Sequence, residues 1–182
     1  MAEAHHARIP VRLRELAQLF NSLDPSPFIE RDLDDDAEAF IVGSARELGL
    51  HRPFEIVVHL QVAPEPERAA ALESAVRHFF RERAEIKQRD LRLLLRRGRV
   101  SLAIGILFLA VCLGLGELIG RTWDGTLASI LSESLIIGGW VAMWRPLEIF
   151  LYDWWPLRDE RRVFEALART RVKLAPPTER AR

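Results

Sequence analysis

The sequence predicts an α+β membrane protein: a two-helix transmembrane hairpin joined to a small cytosolic domain of two or three strands with covering helices. A long helix leads from that domain into the first span. Three observations predict this. Residues 100–120 and 127–144 are apolar over lengths that match a bilayer. Basic residues crowd the outer flanks of both stretches and nearly vanish from the connector. The region before the first stretch mixes runs of period two with runs of helical period.

Composition alone hides the pattern. The chain has 182 residues, with 26 Lys plus Arg against 26 Asp plus Glu. Its mean hydropathy is +0.00, which averages charged ends over an apolar middle. Cys112 is the one cysteine, so no intrachain disulfide forms, and within a span it reads as a small apolar packing residue. The first twenty residues carry charges and no long apolar core, so the first span is expected to act as its own insertion signal. Many arginines against two lysines, Lys87 and Lys173, point to a GC-rich bacterial genome.

The cytosolic domain is expected over residues 1–64. Ile9, Val11 and Leu13 alternate with charged residues, which reads as a strand, and Pro10 places it at a sheet edge. Leu16, Leu19 and Phe20 suggest a helical turn. Pro25 and Pro27 make 24–28 a turn or an extended loop. Asp34–Asp36 open an amphipathic helix with Ala37, Phe40, Ile41, Ser44, Ala45 and Leu48 on its inner face and Gly49 at its end. Asp32, Asp34, Asp36 and Glu38 lack the glycine and terminal glutamate of a calcium loop, so capping is the stronger reading. Phe54, Ile56, Val58 and Leu60 share one face of the best strand; Glu55, Val57 and His59 share the other. The strand–helix–strand order allows a parallel pair, and residues 170–174 offer a third strand.

Residues 65–99 read as one amphipathic helix with a basic end. Leu72, Val76, Phe79 and Phe80 mark its apolar face, and no breaker precedes Gly98. It is expected to run into the first span at 100–120. Residues 121–126 form an external loop and 127–144 the second span. Lys87, Arg89, Arg92, Arg96, Arg97 and Arg99 precede the first span, and Arg145, Arg158, Arg161 and Arg162 follow the second. The loop holds only Arg121, so both termini are expected in the cytoplasm of a bacterial inner membrane. Arg96, Arg97 and Arg99 with Trp123, Trp144, Trp154 and Trp155 are the expected interface residues, in contact with membrane lipid. Residues 145–175 read as an interfacial and cytosolic segment that bends at Pro146, and 176–182 as a disordered tail.

Small residues at four-residue spacing suggest helix-packing faces: Ala110 with Gly114, Gly116 with Gly120, and Ser134, Gly138 and Ala142. They favour a homo-oligomer, because two helices do not cover each other completely. Glu117 and Glu133 sit inside the spans, where an ionisable group is costly. One reading is a cation or proton site. The other is structural, with Glu117 paired to Arg121 and Glu133 hydrogen-bonded to Ser129 or a neighbouring helix.

No catalytic motif is found. His5, His6, His51, His59 and His78 show no metal-ligand spacing, and no phosphate loop, nucleophile elbow or cysteine pair occurs. No cofactor or metal is called for, and the chain is read as non-enzymatic. Basic residues beside a span follow from topology, so no nucleic-acid partner is expected, while a cytosolic protein partner is. The stretches LFNSLDPSPF at 19–28 and RPLEIFLYDWWP at 145–156 resemble those of uncharacterised bacterial two-span inner-membrane proteins. The resemblance implies a membrane hairpin with a cytosolic domain and brings no activity with it. Trp123 and Asp124 near the loop are loosely similar to a pair in the mitochondrial calcium uniporter. The uniporter's filter places its acids one helical turn apart, whereas the next acid here is Glu133.

Overall fold

The computed structural model describes residues 7–50 and 53–175; the expectations for His5, His6, His51 and the 176–182 tail lie outside the described residues. The chain divides into two units, residues up to 87 with those from 159 onward, and residues 88–158. The start of the long helix and the C-terminal segment both supply core residues to the first unit.

That unit is a three-stranded parallel sheet with helices on one face. Strands β1 (Ala7–Leu13), β2 (Phe54–Leu60) and β3 (Arg171–Ala175) lie in the order β1-β2-β3. Ala7 pairs with Phe54 and Leu13 with Leu60, while Glu55 pairs with Arg171 and His59 with Ala175. The edge position expected from Pro10 is observed. The Ala7 N–H donates to the Pro53 carbonyl, on the β2 side. Alternation then turns residue 10 outward, where its missing N–H costs no ladder bond.

Ile9, Val11, Ile56, Val58, Leu60 and Val172 form the inner face. Helix α1 (Asp35–Leu48) covers it through Ile41 and Ala45. The first turns of α2 (Pro66–Thr122) add Leu72, Ala75, Val76, Phe79 and Phe80 at helical spacing, and α4 (Trp154–Leu167) adds Val163, Phe164 and Leu167. Phe80 is fully buried, edge-on to Phe79 at 5.2 Å and stacked on Phe164 at 6.2 Å. Phe40 departs from expectation: it is half exposed. The inner face of α1 is narrower than its apolar pattern suggests.

Local chemistry sets the element ends. The Asp36 N–H donates to the Asp34 carboxylate at 3.1 Å, which caps α1, and Gly49 closes that helix at φ 75°. The Glu65 carbonyl accepts from the Ala69 N–H, so Pro66 stands at the first helical position, where its fixed φ suits the start. In the 20–33 loop, Asp24 accepts from the N–H groups of Ser26 at 2.9 Å and Asp32 at 2.8 Å. The bond from Asp32, then those from Ser26, hold the Asp24 carboxyl below its usual range. Arg83 reaches Glu38 at 3.0 Å and lies 4.9 Å over the Phe79 ring, tying α1 to α2. Burial outweighs Arg83 and raises the Glu38 carboxyl.

The second unit holds two long apolar helices. The later part of α2 and helix α3 (Thr126–Glu148) each carry a stretch long and apolar enough to cross a membrane, with mean hydropathies of 2.5 and 1.5. The expectation of one helix running unbroken into the first apolar stretch is met by α2, which has 57 residues. Helix α3 continues through Pro146 to Glu148, and a π-helical turn at Ile149–Asp153 follows before α4. The Ile149 N–H is shared between the Arg145 and Pro146 carbonyls. The Trp154 indole N–H donates to the Phe150 carbonyl at 2.8 Å, supplying a partner within that widened turn.

Candidate functional site

The two apolar helices meet along one seam, which glycine geometry reveals. A Cβ on Gly139 would lie 2.7 Å from Leu109 Cδ1 and 3.2 Å from Cys112 Cβ. On Gly105 it would lie 3.1 Å from Met143 Sδ and 3.3 Å from the Ala142 carbonyl oxygen. On Gly98 it would lie 2.8 Å from Ile149 Cγ2, and on Gly116 3.1 Å from Ser132 Oγ. As residue numbers rise on α2, those of its contacts fall on α3 and the turn after it, so the pair is antiparallel. Gly98, Gly105, Cys112 and Gly116 on one side and Ala128, Gly139 and Pro146 on the other are buried, and the close approaches bring the two backbones near each other.

The seam repeats every seven residues: Gly98, Gly105 and Cys112 on one helix, Ser132, Gly139 and Pro146 on the other. That period keeps one stripe facing its partner over several turns, as in coiled coils. Pro146 leaves the Ala142 carbonyl without its i+4 donor, and this carbonyl faces Gly105, where only hydrogen atoms fill the gap. Ser132 also donates to the Gly116 carbonyl at 3.1 Å across the seam.

The expected packing residues divide. Gly116 is buried against Ser132, and Ala142 contributes its carbonyl at Gly105. Gly114, Gly120 and Gly138 meet nothing within 4 Å, and Ala110 and Ser134 are exposed. The four-residue rows therefore lie mostly off the seam within one chain.

The two acids also divide. The Glu117 carboxylate accepts from Arg121 at 2.6 Å, one turn away on the same helix. Glu133 has no hydrogen bond or ion pair among the described residues, and Ser129 is exposed. The contact between Gly116 and Ser132 places the two acids at the same level along the helix pair. Among the expected interface residues, Arg96, Arg97, Arg99, Trp123, Trp144 and Trp155 are exposed. Trp154 is half-buried, with Trp155 at 5.4 Å and the Arg158 guanidinium 5.3 Å over its ring.

The sheet carries a second feature, which strand order and register create. Its outer face is a grid of three cross-strand rows: Arg8–Glu55–Arg171, Pro10–Val57–Lys173 and Arg12–His59–Ala175. Glu55 is buried beneath its neighbours, with Arg8 Nε at 3.1 Å and Lys173 Nζ at 2.7 Å. The hydrogen bond from Lys173 chiefly lowers the Glu55 carboxyl, against the opposing effect of burial. A depressed folded-state pKa stabilises the fold above the ordinary carboxylate range and is lost as pH falls through the depressed value. Glu55→Gln is therefore expected to cost about 1 kcal/mol at neutral pH, because both partners are largely exposed. Amide exchange across β2, compared between parent and variant, checks this; the difference is expected to vanish in acid.

Comparison with family models, curated proteins and solved structures found no match.

Proposed function

We propose that this chain is a self-associating two-span protein of the bacterial inner membrane, with both ends in the cytoplasm and a sheet domain that serves as a scaffold or partner-binding module. One observation carries the self-association. The seam occupies a single face of each apolar helix, and the rows at Ala110–Gly114 and Ser134–Gly138 are left open on exposed faces. In lipid, small residues let helices approach closely, so open rows suit contact between copies. The basic flanks and the arginine-rich composition support the membrane and its orientation.

Mass measurement in detergent and crosslinking in membranes test this. The parent is expected to exceed one chain. Gly114→Leu combined with Gly138→Leu is expected to weaken assembly at least about tenfold, since each new side chain removes a close approach. The protomer has open space at both positions and keeps its fold. A parent that is monomeric under all conditions overturns the proposal.

A competing reading is an oligomeric cation or proton pathway through Glu117 and Glu133. The partnerless Glu133 favours it, and Arg121 on Glu117 weighs against it. Proton flux in liposomes that Glu133→Gln abolishes would replace the scaffold reading with the pathway.

A further inference from the structure

Parallel sheets are usually covered on both faces. Among the described residues this one is covered only on the face of Ile9, Ile56 and Val172. On the other face Arg8, Pro10, Arg12, Arg171 and Lys173 are exposed, while Val57 and His59 are half-buried at the centre. Four cations, Arg8, Arg12, Arg171 and Lys173, share this face with one carboxylate, Glu55. Glu55 engages Arg8 and Lys173, whereas Arg12 and Arg171 have no ion pair or hydrogen bond among the described residues. They sit on opposite edge strands and in different rows, with Val57 and His59 between them.

From this grid we infer that the outer sheet face docks an acidic protein segment carrying an aliphatic side chain between its carboxylates. Arg12 and Arg171 receive the carboxylates, and the aliphatic group covers Val57. The charge complementarity selects an acid, and the apolar centre selects a peptide over a purely polyanionic chain. The inference rests on the partner-binding reading of the sheet domain, but not on self-association, so each is tested separately. Beside β1, Asp34 and Asp36 line a groove with Pro10, Arg12 and Phe40. Those acids repel a second acidic stretch there, which confines the bound segment to the sheet face.

The test uses the full chain in detergent micelles and a fluorescein-labelled peptide built from repeats of Glu-Glu-Leu-Glu-Glu, read by anisotropy. Saturable binding that weakens with added salt is expected. Arg12→Glu with Arg171→Glu is expected to weaken it at least about tenfold, because two attractive pairs become repulsive. Arg81→Glu, an exposed site on α2, makes half that charge change off this face and is expected to leave affinity within about twofold. Glu55→Gln removes the competing carboxylate and is expected to tighten binding by about threefold. A surface used only for folding predicts no such gain. Equal losses from Arg81→Glu and the double variant overturn the inference, as does absence of peptide binding by a folded parent. Preferential binding of an RNA oligonucleotide or of phosphatidylglycerol vesicles at the same residues also overturns it.

Discussion

Phe80→Ala is expected to unfold the sheet unit, leaving β2 amides exchanging near the rate of an open chain. Phe80 has no exposed surface and touches both Phe79 and Phe164. Its ring joins α2 to α4, which leads directly to β3, so the cavity lies where distant parts of the chain meet. Replacing a buried Phe by Ala costs about 3–5 kcal/mol. Domains commonly hold only about 5–15 kcal/mol in total, and small ones sit low in that range. Phe40→Ala makes the same chemical change on α1 at a half-exposed position. It is expected to cost less than about 1 kcal/mol, so β2 amides stay protected. Hydrogen exchange on both variants reads the difference; equal protection would mean that the core is not centred on Phe80.

The second large effect belongs to Gly139. Leucine there must displace Leu109 Cδ1 from 2.7 Å and crowd the Leu109 Cα at 3.4 Å and the Cys112 Cβ at 3.2 Å. The Leu109 side chain can swing aside, but the Leu109 backbone moves only if the helices separate. Overpacking of this kind costs about 1–3 kcal/mol. Gly138→Leu, one residue earlier, meets open space and leaves the seam intact. Cys112 provides a native probe because it is buried in the seam. A membrane-permeant maleimide is expected to label Cys112 several-fold faster in Gly139→Leu, since labelling follows the opened population and about 1.4 kcal/mol is a factor of ten. In Gly138→Leu the rate is expected to match the parent. Reversed rates would show that the seam runs along the other face.

These two sites differ in how readily the sequence revealed them. Phe80 lies on a periodic stripe with Leu72, Val76 and Phe79, and one dominant period announces a buried helix face. The strands around Ile9 and Ile56 were legible for the same reason, and Pro10 marked its edge through a missing donor. The seam was harder. A row at four-residue spacing exists on both apolar helices, but Gly114 and Gly138 on those rows touch nothing in the protomer. The contacts instead follow seven-residue steps through Gly98, Gly105 and Cys112. In a span that is apolar all round, hydrophobicity does not say which face is inside, so only the longer spacing of small residues carries that information. Pro146 does not end its helix. Its lost hydrogen bond falls at Ala142, opposite Gly105, and the helix continues there. The outer sheet face needed strand order as well as strand identity. Arg8, Glu55 and Lys173 come from three distant segments, and register alone places them together.

The double crossing is the claim on which the functional account stands, and loop accessibility tests it most directly. In a Cys112→Ser background, single cysteines replace Asp124 in the α2–α3 connector and Glu30 in the 20–33 loop of the sheet unit. Intact cells are then treated with a membrane-impermeant maleimide. The account predicts labelling at position 124 before lysis and at position 30 only after it. Labelling of neither or both positions in intact cells, or recovery of the chain in the soluble fraction after alkaline extraction, would contradict the double crossing.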